Sequence, residues 1–173
     1  MVKKFPVAIT EEEFTELIKV TQKKHHKLAF LLGYGSGLRV SEICNLEKRD
    51  INMAERNILI RQAKGNKDRI VPLPKGFKEE YIKLIPFKFK NLKSGVRSLE
   101  KAFKTYANRA GVTKVKPTIH FHSLRHGFAT TAVKRGIPIH YIRTLLGHTN
   151  ISTTNVYLEM NPKEALKSYE DLF

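Results

Sequence analysis

Tyr157 stands in the run NISTTNVYLEM, nine residues after His148, which follows Gly147 in LLGH. A phenol with a pKa of about 10 is a poor nucleophile at neutral pH, so a reacting tyrosine needs a base and cations around the group it attacks. Other stretches could supply them. HFHSLRHG (120–127) sets His122 and Arg125 three residues apart, close enough on one helical face to present an imidazole and a phosphate-clamping guanidinium together. GSGLRVSE (35–42) places Arg39 after glycines at a helix start, where free N–H groups and the helix dipole favour an anion. KGNKDR (64–69) is a tight basic turn, and Lys64 or Lys67 at a hairpin tip could approach a phosphodiester or a base edge. Arg39, Arg125, Lys64, His122 and His148 together could support phosphoryl transfer to Tyr157 without a metal.

Each motif also has a structural explanation. Tyr157 could cap an apolar cluster, Arg39 could pair with Glu42 one helical turn on, and the turn lysines could shield an exposed strand edge. His120, His122 and His126 invite a zinc site, but the glutamate of H-E-x-x-H is missing and the single Cys44 is distant in sequence. No carboxylate cluster suggests Mg²⁺, and no phosphate-binding glycine loop, dinucleotide fingerprint or serine elbow is present. No cofactor is expected.

The 173 residues carry 32 Lys and Arg against 16 Asp and Glu, a formal charge of +16. Residues 61–120 hold 16 of the basic and 4 of the acidic side chains. Such a field attracts polyanions, and DNA or RNA is the expected partner, with Lys67, Arg69 and Arg143 as candidate contacts. The length suits one domain over 1–173. No apolar run reaches a membrane span, and a lone cysteine fits a reducing cytoplasm.

The elements that must position these residues are legible from pattern and punctuation. Helices are expected over 9–20, opened by a Thr10–Glu13 capping box and an Ile9–Phe14 staple, then 24–35, and from about Arg39 through VSEICNLE. NILIRQA (57–63) and DRIVPL (68–73) alternate as a hairpin, with 49–52 as a possible third strand. Helices follow at about 75–84, 95–110, 122–135, from Pro138 to Gly147, around Tyr157, and from Asn161 onward, while PFKFKNLKSG (86–95) reads as a basic loop. The expected fold is α+β: a mostly helical single domain with a small three-stranded antiparallel sheet.

GSGLRVSEICNL, AKGNKDRIVPL, HSLRHGFATT and LLGHTNISTTNVY, in this order across nearly the whole chain, resemble the catalytic domain of tyrosine recombinases, the phage integrase and Xer-type family. The resemblance implies that Arg39 is the first catalytic arginine, oriented by Glu42, and that Lys64 is the hairpin lysine. It implies that His122 and Arg125 form the His-x-x-Arg pair, that His148 is the second histidine, and that Tyr157 is the nucleophile. It further implies DNA recombination or integration through a 3′-phosphotyrosyl intermediate, with neither ATP nor metal. Lys64 would be the general acid, His122 the base, and the arginines with His148 would hold the nonbridging oxygens. Type IB topoisomerase-like relaxation and a DNA-binding-only relative are the alternatives. Typical members carry an N-terminal DNA-clamping domain, which is expected to be absent here, the chain being either a fragment of a longer protein or a minimal member. The expected assembly is a tetrameric synapse of protomers on DNA, with an isolated domain that is monomeric and SYEDLF (168–173) as a contact swapped between subunits.

Overall fold

The computed structural model describes residues 6–63 and 67–147, with the side chains of Gln62, Ala63 and Lys67 outside that description. The helices are α1 (Glu11–Val20), α2 (Lys24–Gly35), α3 (Val40–Cys44), α4 (Leu92–Arg109), α5 (Val112–Val115), α6 (His122–Lys134) and α7 (Ile139–Leu146). Between α3 and α4 lie β1 (Ile51–Asn52), β2 (Asn57–Ala63) and β3 (Lys67–Pro72), with 3-10 turns at Lys48–Asp50 and Glu79–Leu84. The fold is mostly helical with one antiparallel three-stranded sheet in the order β1-β2-β3.

Local chemistry explains most boundaries. The Thr10 hydroxyl accepts from Glu13 N at 3.2 Å while the Glu13 carboxylate accepts from Thr10 N at 2.8 Å, closing the expected capping box. α4 begins earlier than its spacing predicts. Asn91 Oδ1 accepts from Ser94 N at 2.8 Å and Ser94 Oγ accepts from Asn91 N at 3.1 Å, a reciprocal cap with serine in the place where glutamate or glutamine is usual. The helix expected at 75–84 is only the 3-10 turn Glu79–Leu84, because Pro74 and Gly76 precede it and Pro86 holds Ile85 extended. α5, which the pattern does not announce, follows Gly111 at φ 75°.

The core fixes where α6 begins. Phe30 of α2, Phe103 of α4 and Phe121 meet edge to face, with ring centroids 5.7 to 6.0 Å apart. That cluster anchors the residue just before His122. Ile9 N donates to Ser123 O at 3.2 Å, so the segment before α1 also grips the first turn of α6. In the sheet, Ile58 and Ile60 of β2 and Val71 of β3 are buried. The register pairs Ile58 with Val71 and Ile60 with Arg69. Arg69 therefore shares the buried face, and Ile70, between them, is 58% exposed. Among the described residues, no helix is long and apolar enough to cross a membrane.

Candidate active site

The turn between α2 and α3 starts the site. Gly37 has φ +67°, and a Cβ there would stand 2.6 Å from Phe128 Cδ1 and 2.9 Å from Leu146 Cδ2. Only glycine fits this left-handed, crowded position without strain. The turn delivers Arg39 immediately before α3, where its N donates to Glu42 Oε2 and its Nη1 to Glu42 Oε1, each at 2.8 Å. The Arg39 side chain remains 24% exposed. Solvent reaches it through a cleft lined by Glu42, Asn45, Asp50 and Arg61.

Glu42 serves a second arginine as well. Arg69 Nη1 donates to Glu42 Oε1 at 2.9 Å and Nη2 to Oε2 at 2.8 Å, while Nε donates to Leu145 O at 2.8 Å. Burial works against ionising Glu42, but the hydrogen bonds and charge of Arg69, joined by Arg39, outweigh it and hold the carboxyl below its ordinary range. Arg69 is 8% exposed. Expected as a DNA contact, it lies instead in an internal position, with an N–H on each of its three nitrogens donated to Glu42 or Leu145. A signal for this was present, since the period of two running back from Leu73 and Val71 lands on Arg69 and leaves Ile70 outside.

Arg125, in the first turns of α6, is 1% exposed. Its Nη1 donates to Gly37 O at 2.7 Å and its Nη2 to Leu146 O at 2.5 Å. One guanidinium thus ties the α2–α3 turn to the end of α7, where Gly147 takes φ +63°. His122 is exposed at the start of α6, with its ring perpendicular to that of His126 at 4.7 Å. Partial desolvation, with repulsion from Arg125, His120 and Arg39, holds its pKa down at about 4. The lowered value favours the neutral imidazole at pH 7.

The fold therefore brings together Arg39, Glu42, Arg69, Arg125 and His122 from segments far apart in sequence. Arg39 and Arg69 share the Glu42 carboxylate and Arg125 stands with them, a surplus of positive charge suited to an anion. Arg143 of α7 is half-buried, and its Nε is buried with no hydrogen-bond partner among the described residues. Among the described residues, no group of three His, Cys, Asp or Glu side chains is placed to hold a metal ion. Lys64, His148 and Tyr157 lie outside the described residues, as do the helices expected around Tyr157 and after Asn161, SYEDLF, and the side chain of Lys67.

The phage integrase family model matches residues 8–164. The chain belongs to the phage integrase family. Among curated members it is 37% identical over 183 residues to tyrosine recombinase XerA of Thermococcus onnurineus (strain NA1), covering 97% of this chain and 63% of that protein. The Pyrococcus furiosus protein of the same name is 38% identical over 183 residues, covering 97% and 62%. The chain thus spans less than two thirds of the length of these curated relatives. The crystal structure of XerA recombinase superimposes with a TM-score of 0.72 at 26% identity, covering 97% of this chain and 66% of that one. The XerH site-specific recombinase, in a post-cleavage complex with a palindromic difH substrate, shares the fold with a TM-score of 0.75 at 24% identity, covering 96% and 53%. The four motifs and the integrase-family fold agree on one architecture.

Proposed function

We propose that this chain is the catalytic domain, over 1–173, of a site-specific DNA recombinase or integrase. The observation that carries the reading is the convergence of Arg39, Arg125 and His122 on the Gly37 turn and the end of α7, the element from which the chain runs on to His148 and Tyr157. The substrate is double-stranded DNA, and the compartment is the cytoplasm. Protomers act together on DNA as a tetrameric synapse, and the isolated domain is monomeric.

In this reading the Tyr157 Oη attacks the scissile phosphorus while neutral His122 takes the phenolic proton. The bond to the 5′ oxygen breaks, and Lys64 protonates that oxygen as it leaves. Arg39, Arg125 and His148 stabilise the charge on the nonbridging oxygens. The products of this half-reaction are a 3′-phosphotyrosyl ester and a free 5′-hydroxyl. Attack by a 5′-hydroxyl of a partner strand reverses the chemistry and completes the exchange. Bond energy is kept in the adduct, so neither nucleotide hydrolysis nor a metal is needed. Lys67 and Arg143 are the candidate contacts to the surrounding backbone.

Covalent trapping tests this. The chain is mixed, in EDTA, with supercoiled plasmid and with duplexes nicked so that the cleaved end diffuses away, then denatured in SDS. Protein-linked DNA is expected with the unsubstituted chain and none with Tyr157→Phe. An adduct that persists in Tyr157→Phe, or that disappears with EDTA, refutes the assignment.

A further inference from the structure

Arg69 is the one cation of the cluster that the reaction above does not use, and its bonds run to groups of the protein itself. Its fork grips both oxygens of Glu42, and its Nε holds Leu145 O. Glu42 in turn accepts from Arg39 N and Nη1. A carboxylate offers about four acceptor sites, so Arg69 and Arg39 divide it between them. The rest of the Arg39 fork is left uncommitted among the described residues. A vacancy at Arg69 would free both Glu42 oxygens to take Arg39 in a parallel two-bond pair, the geometry that arginine and carboxylate prefer. Arg39 would then be drawn into the protein, and its charge would be spent on Glu42.

A second consequence concerns α7. Leu145 O is held by Arg69 and Leu146 O by Arg125. A Cβ on Gly147 would come within 3.1 Å of Arg69 Cδ. The last carbonyls of α7 are thus fixed from two sides, just before the chain reaches His148.

We infer that Arg69 is a positioning residue for the proposed phosphoryl transfer: by occupying half of Glu42 and holding Leu145 O, it keeps Arg39 available to the scissile phosphate and sets the exit of α7. The inference deepens the recombinase reading and rests on it. Arg69 is internal and touches no DNA in this role, so its loss should slow cleavage without weakening binding.

The test compares single-turnover adduct formation by the 173-residue chain and by Arg69→Met. The substrates are a nicked duplex that the unsubstituted chain cleaves and the same duplex with a methylphosphonate at the scissile position. The methyl group removes the negative charge that Arg39 neutralises, so a misplaced Arg39 matters less there. Arg69→Met is expected to lose about 100-fold on the phosphate and less than about tenfold on the methylphosphonate, with unchanged DNA affinity. Arg69→Lys, which keeps the charge without the fork, should lose less and show the same substrate dependence. It carries the test if circular dichroism finds Arg69→Met unfolded. Equal losses on both substrates would reduce Arg69 to a structural strut and overturn the proposal, as would undiminished cleavage. Absence of any Tyr157-dependent adduct from the unsubstituted chain is a different result: it removes the recombinase reading itself, and Arg69 then has no reaction to serve.

Discussion

At the scale of single residues, His122 has the most direct functional signature. Lost hydration and the neighbouring Arg125, His120 and Arg39 hold its pKa at about 4, against an ordinary value of 6.5. The lowered value means that the neutral form, the one able to accept a proton from Tyr157, persists as pH falls through 6 and is lost only near 4. The acid limb of kcat/KM reports groups of the free enzyme. Cleavage rates measured at subsaturating DNA should therefore stay level from pH 7 to about 5 and fall only below that. A midpoint near 6.5 would contradict a neutral, desolvated His122 as the base. Arg125 makes a complementary point. Its type and its three-residue spacing from His122 were readable as a clamp, but its burial and its bonds to Gly37 O and Leu146 O depend on segments remote in sequence.

At the scale of elements, the α2–α3 turn is the critical connection. Gly37 combines a positive φ with a site where a Cβ would collide with Phe128 of α6 and Leu146 of α7. A left-handed alanine costs about 1–2 kcal/mol and overpacking another 1–3 kcal/mol. Gly37→Ala should thus lower unfolding free energy by about 2–5 kcal/mol, measured by urea denaturation, and should reduce adduct formation in what remains folded. An unchanged denaturation midpoint would show that the turn tolerates a Cβ. Elements were legible where the signal was local: the Thr10–Glu13 box, the α2 span and the β2–β3 hairpin all follow from neighbouring residues. α4 was read late because its reciprocal cap uses Ser94, and the 75–84 segment was read too long because prolines and a glycine confine it to a 3-10 turn.

For the whole molecule, charge governs the encounter with a partner. A formal charge of +16 on 173 residues predicts DNA binding dominated by counterion release, with log K falling linearly against log salt. If six or more phosphates are neutralised, affinity should drop by about 10³-fold between roughly 50 and 200 mM salt. Filter binding or fluorescence anisotropy over that range measures the slope. A flat dependence would detach the basic surface from DNA recognition. Arg69→Met should leave this slope unchanged, because that guanidinium is internal, whereas substitution of Arg143 or Lys67 tests whether either belongs to the phosphate-contacting surface.

The sequence alone determined the family, the alternation of helices with one small sheet, and the identities of Arg39, His122 and Arg125 as a group. The elements rest on residue type, short spacing and local capping, and the family and the grouping rest on four short motifs met in order, each carried by a contiguous stretch. Only the tertiary structure decided how the cations are divided. Arg39 and Arg69 lie 30 residues apart in sequence, and nothing local shows that they share Glu42. Nor could spacing reveal that Arg125 and Arg69 hold successive carbonyls at the end of α7. Those partnerships follow from the β3 register, the Gly37 turn and the aromatic cluster beneath α6. They are long-range contacts, set by which faces the chain must bury and not by the order of its residues.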